Sequence, residues 1–253
     1  MPNAADSILA HLEVVDAERA NRALDAGLQS KVTALKEFQQ LRFAHTYADM
    51  LASPRYGRAA RFFLDELYGP RDFTLRDEQF AKVVPALVRL FPKDIVATVE
   101  RLAELHALSE RLDTAMALHL RDRDFTATDY VRSWQLVGRE GERHVQIALT
   151  LELAQTLDRL TRRLLLRRSL HLLRGPARAA GLHELQKFLE TGFDTFREMK
   201  GAQEFLAAVK DREESLAGLL FGAGLADTGP GGTMQRALAA LPPHNENRPA
   251  EPG

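Results

Sequence analysis

No cysteine occurs among the 253 residues. That excludes disulfides, thiolate zinc sites, cysteine-ligated iron–sulfur clusters, c-type haem attachment and cysteine nucleophiles. A dominant sign of charge is also missing: 34 Lys and Arg face 35 Asp and Glu, for a formal charge of −1. No global field therefore draws the chain to nucleic acid or to an anionic membrane. No window approaches eighteen consecutive apolar residues, so no transmembrane helix is expected. The first residues lack a basic stretch followed by an apolar core, so no signal peptide is expected either. Period-two alternation is absent over any useful length, which removes the strand signal. Aromatic residues make up only 7% of the chain, with a single tryptophan, Trp134; that residue is expected in the core.

The familiar catalytic patterns are missing too. There is no GxxxxGK[ST], no GxGxxG after a strand and no GxSxG elbow. His183-Glu184 is not followed by the histidine that a zinc-protease helix requires, and Glu-x-x-His, the di-iron bundle signature, does not occur. No metal site and no cofactor are expected from these patterns.

What is present is apolar residues at helical spacing. With 45% apolar and 27% charged residues the chain has the composition of an ordinary globular protein. Short Gly/Pro breaks between the periodic segments predict an all-α bundle of about seven or eight helices with antiparallel neighbours. Residues 1–29 read as a weakly amphipathic helix, docked lightly or mobile, and 30–222 as a single all-helical domain. Residues 223–253 are rich in Gly and Pro and read as a disordered tail.

The stretch from Tyr56 to Phe91 organises the rest. Ala60, Phe63, Leu64 and Leu67 share one helix face, and Tyr68-Gly69-Pro70 stops that helix. Thr74 with Asp77 three residues on reads as an imperfect capping box. Phe80, Val83, Val84, Leu87 and Val88 continue at helical spacing through Pro85 to Phe91 and Pro92. The run Arg61-Phe62-Phe63-Leu64-Asp65-Glu66-Leu67-Tyr68-Gly69-Pro70-Arg71-Asp72-Phe73, followed by Arg76-Asp77, resembles an uncharacterised bacterial all-helical family carrying an RFFLxELYGPxDFxxRD signature. The resemblance extends over roughly residues 35–221. It implies an all-helical fold and brings no assigned activity with it.

Three groups of polar residues are candidates for function. Arg42, His45 and Asp49 follow one another along a helix face, beside Asp65 and Glu66 of the central unit. His106 and Asp113 interrupt an apolar face two turns apart. From residue 159 to 183 there are seven arginines, two histidines and no acid. Arg163, Arg167, Arg168, Arg174 and Arg178 belong to that run, and a basic amphipathic segment can hold a partner or an anion. Its lack of aromatic residues argues against single-stranded nucleic acid.

Three readings follow. The leading one is a non-enzymatic interaction or scaffold protein that uses the arginine-rich helix to bind a protein partner or a second copy of itself. A second is a helical domain holding a haem-like or anionic molecule through His45 or His106. A third is an enzyme using Arg42, His45, Asp49, Asp65, Glu66 and His106 for acid–base work. The last two require both histidines in one concavity with a carboxylate. A cysteine-free chain of this kind fits a reducing cytoplasm.

Overall fold

The computed structural model describes residues 3–66, 73–162, 170–172, 174–224, 227 and 229–245. Among these residues it is all-α, with twelve helices rather than seven or eight. They are α1 (Ala4–Ala23), α2 (Ala26–Thr46), α3 (Ala48–Ala52), α4 (Gly57–Glu66), α5 (Thr74–Leu90) and α6 (Lys93–His119). Then follow α7 (Ala127–Val137), α8 (Glu140–Thr161), α9 (Arg174–Ala179), α10 (His183–Glu198), α11 (Gln203–Gly222) and α12 (Thr233–Ala239). The count rises because α3, α9 and α12 are each under eight residues long, too short to show a periodicity of their own.

Helix α6 is the axis. It packs against α1, α2, α7 and α8, while α10 and α11 close over α8 from the other side. Two large cores result. One joins Phe38 of α2, Met116 of α6, Tyr130 and Trp134 of α7 and Leu220 of α11. The other joins Phe43 and Tyr47 to Phe63 of α4, Phe196 of α10 and Phe205 of α11. Burying side chains of this size contributes about 1.5–3 kcal/mol each. Trp134 is in the core as expected, with the Arg143 guanidinium 4.3 Å from its ring centroid.

Local signals explain most boundaries. Asp25 caps α2, accepting from the amides of Gly27 and Leu28 at 2.9 and 3.1 Å. Thr126 and Asp129 form a reciprocal capping box at the start of α7, and Gly138 ends it at φ 61°. Gly192, inside α10, allows a close crossing: a Cβ there would meet the Phe62 ring of α4 at 3.0 Å. Helix α5 runs continuously through Pro85. The capping box expected at Thr74 does not form, because Asp77 is drawn into a tertiary network instead.

Both ends carry a packed helix. Helix α1 is docked along α6 with Ile8, Leu12 and Val15 buried. Beyond residue 223, α12 places Met234 and Ala237 against α7 and α11, and Leu241 is buried after it. Residues 246–253 lie outside the described residues, as do Leu67, Tyr68, Gly69 and Pro70 at the corner after α4.

Candidate functional site

The polar residues singled out above do not gather into one site. Arg42 donates to Glu213 of α11 at 2.5 Å, and the Tyr47 hydroxyl donates to the same oxygen at 2.8 Å. Asp49 receives both Nη atoms of Arg212, at 2.7 and 2.8 Å, and those hydrogen bonds hold its carboxyl at about 2. His45 is exposed, and Asp65 is half-buried on α4. Glu66 lies 3.7 Å from Arg76. His106 meets neither His45 nor any of the carboxylates first considered; its Nε2 lies 2.9 Å from Asp77 Oδ2. His45 and His106 thus have different surroundings, the one exposed and the other against Asp77.

His106 belongs to a charged seam between α1, α2, α5 and α6. Arg19 Nη2 donates to Asp77 Oδ2 at 2.8 Å, and Arg76, stacked 4.0 Å from the Phe73 centroid and 4.5 Å from that of Phe188, lies 3.7 Å from Asp77. One turn along α6 from His106, Glu110 accepts from Arg22 at 2.5 Å and from Lys36 at 2.7 Å. Burial pushes Glu110 upward, but the charges and hydrogen bonds of Lys36 and Arg22 outweigh it and hold the group at about 2. Asp113 is buried and accepts from Gln39 at 2.9 Å. Burial raises its pKa. Two carboxylates one turn apart are thus displaced in opposite directions, Asp113 upward by burial and Glu110 downward by its cationic partners.

The arginine run divides. Arg163, Arg167 and Arg168 lie outside the described residues. Arg174 is neutralised by Glu190 at 2.6 Å, whereas Arg178 is exposed with no carboxylate partner among the described residues.

A different set of cations does converge, where the end of α8 meets the α10–α11 junction. Arg55, Arg162, Lys200, Gly201, Gln203 and Glu204 line a hollow of about 260 Å³. An adjoining hollow of about 220 Å³ shares Arg162, Lys200 and Gly201 and adds Asp158, Thr161, Phe196 and Arg197. Its floor is the second core, with Phe196, Met199, Ala202 and Phe205 buried beneath. Arg55 is paired with Glu204 at 3.0 Å and Arg162 with Asp158 at 2.7 Å. Arg197 and Lys200 have no acid partner among the described residues. Of the four cations only Arg162 belongs to the sequence run. The others are scattered along the chain, and the break at Gly201 before α11 is their only local signal.

A family model described as Domain of unknown function (DUF8198) matches residues 18–225. The chain belongs to this family. The matched region of the DUF8198 protein takes in the C-terminal end of α1, the seam, the second core, most of the first and the basic hollows. No curated protein and no solved structure matches it. Among the described residues no helix is long and apolar enough to cross a membrane, and no group of His, Cys, Asp and Glu is arranged to hold a metal ion.

Proposed function

We propose that this DUF8198 protein is a non-catalytic helical docking module whose basic hollows hold an acidic segment of a protein partner. One observation carries the reading: Arg197 and Lys200 stand unneutralised beside Arg55 and Arg162 on a surface built by three separate parts of the chain. Cations that are exposed and unpaired cost little to keep in the folded protein, and they are free to steer and hold an acidic chain. The cytoplasm, where no disulfide is required, is the compartment we assign to it.

The test is fluorescence anisotropy of a labelled peptide of about ten residues rich in Glu, titrated with the full chain. Binding should weaken as salt rises, because the contacts are exposed. The triple variant Arg162→Glu, Arg197→Glu, Lys200→Glu should lose at least about tenfold in affinity, or about 1.4 kcal/mol. Equal affinity of wild type and variant, or no binding by the wild type, overturns the reading.

A further inference from the structure

The hollows have a focus at Gly201. Its φ is 117°, and Lys200 before it has φ 53°, both in the region that side-chain-bearing residues avoid. A Cβ on Gly201 would lie 3.7 Å from Arg162 Nη2 and 3.9 Å from Arg55 Nη2. Two guanidinium nitrogens, brought from α8 and from the turn before α4, therefore face one point that no side chain fills.

Both guanidiniums are held in place. Arg55 Nε donates to the Met199 carbonyl at 3.0 Å, its Nη2 to the Gly201 carbonyl at 3.2 Å and its Nη1 to Glu204 at 3.0 Å. Arg162 Nη2 donates to Asp158 at 2.7 Å. Helix α11 starts immediately beyond, with Ala202 as an N-cap that offers no side-chain bond to the first amides. Four cationic side chains and two carboxylates line the pair of hollows, a surplus of two positive charges.

We propose that the seat over Gly201 binds the phosphoryl group of a phosphate monoester, with Arg55 and Arg162 as the paired donors and Lys200 as the third charge. This deepens the docking reading and rests on it: the phosphoryl group anchors the acidic segment. A guanidinium presents a planar fork of donors suited to phosphate oxygens. A phosphate monoester carries about −1.5 to −2 charge near neutral pH, which meets the surplus, whereas a single carboxylate leaves about half of it unmatched. The monoester has two sources, a phosphorylated side chain in a partner or a free phosphate ester, and the test separates them.

The full chain is titrated with three probes: the acidic peptide carrying one phosphoserine, the same peptide with serine, and free O-phosphoserine. The phosphopeptide is expected to bind at least about tenfold more tightly than the serine peptide. Gly201→Ala, which fills the seat, and Arg162→Gln, an exposed change that leaves the melting temperature unaltered, should both abolish the difference. Equal binding of the two peptides overturns the phosphoryl seat and leaves the docking reading standing. Binding of O-phosphoserine alone, with neither peptide held, overturns the docking reading and identifies a free ester as the ligand. A phosphoserine preference that survives Arg162→Gln refutes the assignment of the seat to these residues.

Discussion

The seam and the basic hollows are both rich in arginine, and they use it in opposite ways. In the seam, Arg22 and Glu110 are each almost fully buried, and the cations that meet the Glu110 carboxylate come from other helices. Charges taken out of water must be met by opposite charges at short range, or the fold pays several kcal/mol per ion. At the hollows Arg162 keeps 64% of its side chain in solvent even while paired with Asp158. A pair so exposed is worth about 0–1 kcal/mol and can be exchanged for a ligand at little cost. The number of arginines in a stretch therefore says little about which of them are available; depth decides it.

The largest effect expected from this contrast is at Glu110. Glu110→Gln leaves the buried Arg22 and the half-buried Lys36 beside a neutral group and should cost about 3–5 kcal/mol in urea unfolding. The pH dependence has a definite sign. The folded pKa of Glu110, about 2, lies below its ordinary value of 4.5, so its contribution is present above pH 4.5 and is lost as pH falls toward 2. Asp113 is shifted upward by burial and works the other way: its contribution is present at low pH and is lost as pH rises through its folded pKa. Glu110→Gln should flatten the acid limb of the stability profile. A profile unchanged in that limb would show that the seam is solvated and that the contrast in depth is wrong.

Next comes the floor of the hollows. Phe63 packs edge-on to Phe196 and 5.8 Å from Phe205, so Phe63→Ala should cost about 3–5 kcal/mol. It should also weaken peptide binding, since the same core supports Phe196, Met199 and Ala202 under the cations. Stability loss without loss of binding would separate the surface from its support. The smallest effect on stability is expected from charge reversal at the hollows themselves. Arg162→Glu, Arg197→Glu and Lys200→Glu should each change unfolding free energy by no more than about 0.5 kcal/mol. A triple variant that melts far below the wild type would place these residues with the seam.

Much of the fold was legible because most of its helices are amphipathic and bounded by Gly, Pro or a cap. Helix α6 runs Lys93–His119 where the pattern predicts a helix from Lys93 to about Leu120. Helix α1 is weakly patterned because its buried face includes Arg22 and the half-buried Arg19, which dilute the apolar period; their acceptors, Glu110 and Asp77, are 88 and 58 residues away. Helix α12 was hidden by its Gly/Pro-rich surroundings, although Met234, Ala237 and Leu241 do fall on one helical face. The hollows were not legible at all. Their cations come from positions 55, 162, 197 and 200, and only tertiary packing brings them together.

The span of the Arg22–Glu110 contact also matters while the chain is being made. At about 5–20 residues per second, Arg22 emerges roughly 4–18 s before the carboxylate 88 residues later that will receive it. During that interval the face of α1 that carries Ile8, Leu12 and Val15 lacks α6, the helix it packs against most extensively. The cationic groups of α1 keep the waiting segment solvated, and the arrival of α6 turns the same charges into the lock that holds it.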